Sequence, residues 1–207
     1  MTEDHKTLTA DEDNFVLYDE DEMSLSLRIT EFTSDKQQKY FIKKVEKIIR
    51  GSTEYKVWTD YIRDTLGKTK CMITDEDHEE TTVDIHHHPI SLYVIVKGVV
   101  MEHIKNERSF CSFDIAAKVM ELHFSLKAPF IPLVKSLHEK FHRGYLQIPM
   151  ELVHGNWEDY MEEYEHYLDK EDIMKVVHRS EIKLENLKDN KEWYKFISDN
   201  KETPNTN

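Results

Sequence analysis

Two cysteines, Cys71 and Cys111, are all that this chain of 207 residues holds. That is too few for a disulfide framework or an all-cysteine zinc site, and a reducing, intracellular setting is the expectation. Glycine and proline are sparse too, five of each, and neither an internal repeat nor a low-complexity linker is found. No run approaches the ~20 consecutive apolar residues of a membrane span. The opening residues, Met1 to Lys6, lack the apolar segment of a secretory signal. The expected location is therefore cytoplasmic, with no membrane partner. Apolar residues make up 39%, charged residues 33%, and mean hydropathy is −0.68, so the core is lean and the surface strongly hydrated. The length suits one domain with appendages.

Acid is plentiful but unevenly placed. The net charge is −13, which argues against a polyanionic substrate, because lysine and arginine normally grip a phosphate backbone. Residues 1–36 hold eleven acids and three bases, and residues 155–207 hold fourteen acids and eight bases. The stretch between them is nearly neutral. The acidic ends suit a protein partner, while the middle of the chain leaves DNA open as one.

The middle also carries the most distinctive pattern. His86, His87 and His88 close the apolar stretch Val83-Asp84-Ile85 and are cut off by Pro89. Far downstream, Leu137-His138-Glu139-Lys140-Phe141-His142 holds two histidines four residues apart. On a helix that spacing puts both rings on one face, where they can hold one cation together. A further histidine from a strand end would complete three nitrogen ligands with an open position, the set a hydrolytic metal needs. A lone histidine is ordinarily a surface or packing residue. That reading is kept for His5, His78, His103, His154, His166 and His178, and the helix-end reading for His123. Within the triplet, strand alternation lets His86 and His88 share one side with His87 on the other.

The pattern predicts an α+β fold, mostly helical, with a small β-hairpin at the site. Residues 1–22 read as disordered, 23–168 as the globular domain, 169–199 as a C-terminal helical segment and 200–207 as a disordered tail. Met23 to Ile29 alternates like a strand. Ser34 and Asp35 cap a helix to Arg50, with Phe41, Val45, Ile48 and Ile49 buried. A second helix spans Glu54 to Leu66 and packs Trp58 and Ile62. Cys71–Thr74 and Thr82–His86 are predicted to pair as a hairpin across an acidic turn. Helices follow over Ile90–Glu107, weakened by Gly98, and Phe113–Phe124. Pro129 and Pro132 punctuate the approach to the helix carrying His138 and His142, which Gly144 ends. Further helices cover Trp157–Leu168 and Lys170–Asn190.

A hairpin followed by a helix, with histidines leaving the second strand and two more on the helix, resembles the HNH endonuclease superfamily, in the variant ending His-x3-His. The matching residues are His86-His87 and His138-Glu139-Lys140-Phe141-His142-Arg143-Gly144, led in by Pro132 to Ser136. The resemblance covers about residues 68–144 and requires the helices of residues 90–125 to be an insertion. It implies a ββα-metal finger that hydrolyses phosphodiester bonds of DNA. It makes His86, His138 and His142 the metal ligands and His87 the general base, with His88 an alternative ligand or a neighbour of the ligands. Lys135, Lys140 and Arg143 would meet phosphates. Three imidazoles favour Zn²⁺, Ni²⁺ or Mn²⁺ over Mg²⁺. Nucleases of this kind also suggest a phage origin by analogy, in which case the host cytoplasm is the setting.

Two other readings use the same residues. His86-x-His88-Pro89 matches the His-x-His-Pro of JAMM metallopeptidases, although Ser91 is too near and Asp114 too far to finish that site. In the other, a structural metal fixes the fold of a non-catalytic protein whose acidic ends bind a partner. A structural site is closed by four protein ligands, whereas a catalytic one keeps a water.

Overall fold

The computed structural model describes residues 28–77 and 82–187. The acidic segment 1–22, most of the Met23–Ile29 strand, His5, His78, and the tail from residue 188 lie outside the described residues. The fold is mostly helical with one small antiparallel sheet, as the sequence predicts. No described helix is long and apolar enough to cross a membrane.

Helix α1 (Asp35–Gly51) starts where Ser34 accepts a hydrogen bond from the Gln37 amide, and it buries Ile42, Val45 and Ile49. Ser52 ends α1 and caps α2 (Thr53–Asp60) in turn, accepting from the Tyr55 amide. One π-helical turn, Tyr61–Thr65, continues α2, so Trp58 and Ile62 both reach the core with no exposed surface. Helices α3 (Leu92–Lys105) and α4 (Ser112–Phe124) complete the main packing layer against α1.

Gly98 weakens α3 as an isolated helix, yet the fold needs a glycine there. A Cβ at this position would overlap the Tyr160 hydroxyl. Tyr160, on α6 (Trp157–Tyr164), instead approaches closely enough to donate to the Val94 carbonyl at 3.0 Å. Helix α7 (Lys170–Ser180) is tied to α3 by Lys97, which meets Asp172 at 2.6 Å.

The strand pairing differs from the sequence prediction. Cys71–Thr74 forms a turn, closed by the Cys71 amide on the Glu76 carbonyl at 2.9 Å and by one isolated bridge between Lys70 and Asp77. Strand β1 (Val83–His86) pairs instead with β2 (Ile131–Val134), in the register Val83 to Val134 through His86 to Ile131. β2 runs directly into α5 (Lys135–His142). Two properties of residues 131–134 explain the choice. All four side chains are buried, and Pro132 withholds only one donor while its carbonyl accepts from the Met72 amide at 3.0 Å. A second apolar cluster, including Cys71, Val83, Leu133, Leu137 and Ile148, supports this sheet and α5. Cys71 is thus a buried packing residue beside the sheet.

Candidate metal centre

β1, β2 and α5 follow one another as strand, strand, helix, with α3 and α4 filling the connection between the strands. Along β1 the period of two sets Asp84 and His86 on one side. Along α5 the spacing of four brings His138 and His142 together, their Nε2 atoms 2.9 Å apart. The His86 ring lies 4.8 Å from that of His138 and 5.2 Å from that of His142, centroid to centroid. One ring nitrogen from each of the three falls within 4.8 Å of the other two. Nitrogens each about 2.1 Å from a shared ion sit roughly 3 to 4 Å apart, so only a small adjustment separates this group from a coordination sphere.

Two further observations fit a cation. His86 is buried, and its Nε2 makes no hydrogen bond, which is costly unless something else meets that lone pair or proton. Burial first, then the His138 and His88 rings, push its pKa down to about 2, so the imidazole is neutral and a potential ligand. His138 Nδ1–H donates to Asp84 Oδ2 at 3.0 Å. A carboxylate can only accept, so this contact puts a proton on Nδ1, and in the neutral ring Nε2 is then the bare nitrogen. The same hydrogen bond, more than any other influence, holds the Asp84 carboxyl below its usual range. His142 is exposed and also shifted down, by partial burial and then by His138. The group is therefore buried at His86 and open to solvent at His142.

His87 does not join them. Its ring turns to the opposite side and stacks on Trp58, centroids 5.9 Å apart and planes 17° apart. His87 Nε2 lies 2.9 Å from His123 Nε2. His123 Nδ1 lies 2.7 Å from the Val119 carbonyl, so it must carry the proton, and a neutral His123 then presents a bare Nε2. His87 is consequently the donor of the pair. Burial, then His123, holds its pKa well below the ordinary histidine value. A base must face the reacting water; the His87 ring is buried against Trp58, its Nε2 is committed to His123, and it lies outside the convergent group. This corrects the role that the HNH resemblance implies for it.

His88 returns to the side of His86, with ring centroids 6.3 Å apart, as strand alternation allows. It is fully buried against Phe141, lies outside the convergent group, and is driven to a pKa of about 3 by burial and then Arg179. The convergent group thus takes His86 with the two helical histidines and leaves His88 outside it. Lys135 and Arg143 are exposed at the two ends of α5, and Lys140 is half-buried within it.

Three residues escaped sequence reasoning. Asp84 had a signal, its position two residues before His86. His123 reads as a helix-end residue but is the buried partner of His87. Arg179, on α7, carries no local signal at all; its guanidinium lies 5.5 Å over the Phe141 ring.

Comparison with known proteins adds one finding. No curated protein and no solved structure matches. A family model described as bacteriophage G278-like virion protein matches residues 2–203, nearly the whole chain. The chain accordingly belongs to the bacteriophage G278-like virion protein family.

Proposed function

We propose that this phage virion protein is a metal-dependent nuclease of the ββα-metal kind, acting on DNA. The observation that carries the reading is the meeting of three imidazole nitrogens, from the end of β1 and one face of α5, within 4.8 Å. His86, His138 and His142 would hold the ion, with Zn²⁺, Ni²⁺ or Mn²⁺ better suited than Mg²⁺ to a set of neutral nitrogens. When bound, such an ion supplies Lewis-acid stabilisation to a phosphoryl oxygen and acidifies a bound water. Asp84 orients His138 and keeps its proton on Nδ1. His142, exposed, sets the open side from which substrate arrives, and Lys135, Lys140 and Arg143 lie along the helix to meet phosphates. His87 and His123 support the strand end from behind as a neutral pair. The host cytoplasm is where the activity would act.

The word virion in the family description favours a second reading, a non-catalytic metal centre that clamps β1 to α5 in a particle protein. The two separate on one set of assays. Purified protein is loaded with each metal in turn, its metal content measured, and plasmid DNA added. The nuclease reading expects nicking or linearisation, with His142→Ala losing both metal and cutting. Bound metal with every DNA and RNA form left intact favours the structural centre. No bound metal at all defeats both.

A further inference from the structure

Arg179 is a half-buried cation that no described carboxylate meets. One of its nitrogens, Nη1, donates to the Pro89 carbonyl at 3.1 Å, and its guanidinium stacks over Phe141. Among the described residues no carboxylate pairs with it, and burial alone lowers its pKa. Such a charge is costly to desolvate unless an anion meets it.

Its position indicates where that anion belongs. The Phe141 ring beneath the guanidinium touches the histidine cluster directly, with centroids 4.6 Å from His86 and 5.9 Å from His142. Arg179 is close enough for its charge to be among those felt by both histidines. A divalent ion on three neutral imidazoles would stand beside this guanidinium. Among the described residues Asp84 supplies the negative charge in contact with the triad, and it is hydrogen-bonded to His138. Two neighbouring cationic centres repel unless something negative lies between or along them. A planar guanidinium matches the oxygen spacing of a phosphate, and Arg179 carries N–H groups beyond the one given to the Pro89 carbonyl.

We infer that Arg179 and the ion on His86, His138 and His142 together form a phosphate-binding site, in which the substrate's phosphodiester backbone bridges the two cations. The inference rests on the metal reading above and names what the site takes. It also gives α7, which follows the strand–strand–helix unit in the chain, a part in binding.

The test uses the full-length protein loaded with Zn²⁺, with metal stoichiometry measured on every sample. Inorganic phosphate and a short single-stranded oligonucleotide are titrated by calorimetry into wild type, Arg179→Met and Arg179→Lys. Wild type should bind phosphate. R179M should bind it at least tenfold more weakly with its metal retained, and R179K should recover part of the loss because the charge returns without the fork. Equal affinity in wild type and R179M, or no phosphate binding by metal-loaded wild type, overturns the site while leaving the metal reading intact. Absence of metal from wild type defeats the metal reading, and this site with it. If R179M does not fold, the Arg179 Nε–H resonance of the wild type decides: it must shift on adding phosphate, and a stationary resonance is a refutation.

Discussion

At Asp84 a carboxylate oxygen meets His138 Nδ1 at 3.0 Å, on a strand only four residues long. The contact chooses the tautomer of one ligand, and such partners typically change metal affinity by about 10- to 100-fold when lost. Asp84→Ala should weaken Zn²⁺ binding by about that factor in a competition titration against a coloured chelator. Asp84→Asn should lose less, because its amide oxygen still accepts from Nδ1–H. An Asp84→Ala protein that binds zinc as tightly as wild type would mean that something else orients His138. The same residue scale explains the fate of His87. Alternation along an extended chain places it opposite His86 and His88, and Trp58 and His123 then claim the ring.

Among the elements, α3 and α6 show how packing overrides intrinsic preference. Replacing an ordinary helical glycine by alanine gains about 1 kcal/mol. At Gly98 the added methyl would collide with the Tyr160 hydroxyl, which bonds to the Val94 carbonyl. Gly98→Ala should therefore destabilise the protein by about 1–3 kcal/mol, read as a lower urea midpoint at unchanged slope. A gain in midpoint would show that α6 can move aside without cost. Strand pairing lives at this scale too. The apolar, β-branched stretch Val83–Ile85 is legible as a strand, and the spacing of His138 and His142 is legible as a helix face. The partner of β1 is not, because Ile131–Val134 lies about 45 residues away and contains a proline that reads as punctuation. What settles the pairing is burial of all four β2 side chains, a property of the assembled core.

For the whole molecule, buried neutral histidines make stability depend on acid. His123 has a pKa lowered to about 4 by burial, and His88 one lowered to about 3 by burial and then Arg179. An unfolded histidine takes up its proton near pH 6.5. Between about pH 6.5 and those lower values the unfolded chain binds protons that the native chain refuses, so stability is full above the window and falls as pH drops through it. Each such histidine adds a slope of up to about 1.4 kcal/mol per pH unit. Denaturant unfolding of the metal-free protein from pH 7 to pH 4 should show this decline. His123→Gln, which cannot titrate, should make it shallower by the share of one group. A flat profile would mean that these rings take up protons in the native state as readily as in the unfolded chain.

The chain by itself determined most of the helices, the Ser34 cap, the mostly helical α+β class and the three imidazoles worth watching, because these follow from short-range spacing, whereas the helix it predicts over Lys170–Asn190 ends at Ser180. Periods of two and four, and a serine before a helical run, act over a few residues, where the backbone leaves few choices. Only the tertiary structure decided which strand pairs with β1, that His87 faces the core, that Asp84 holds His138, and that Arg179 comes to lie over Phe141. Each of these joins residues from separate elements, from about 30 to 55 positions apart in the chain, and each depends on packing in the assembled fold.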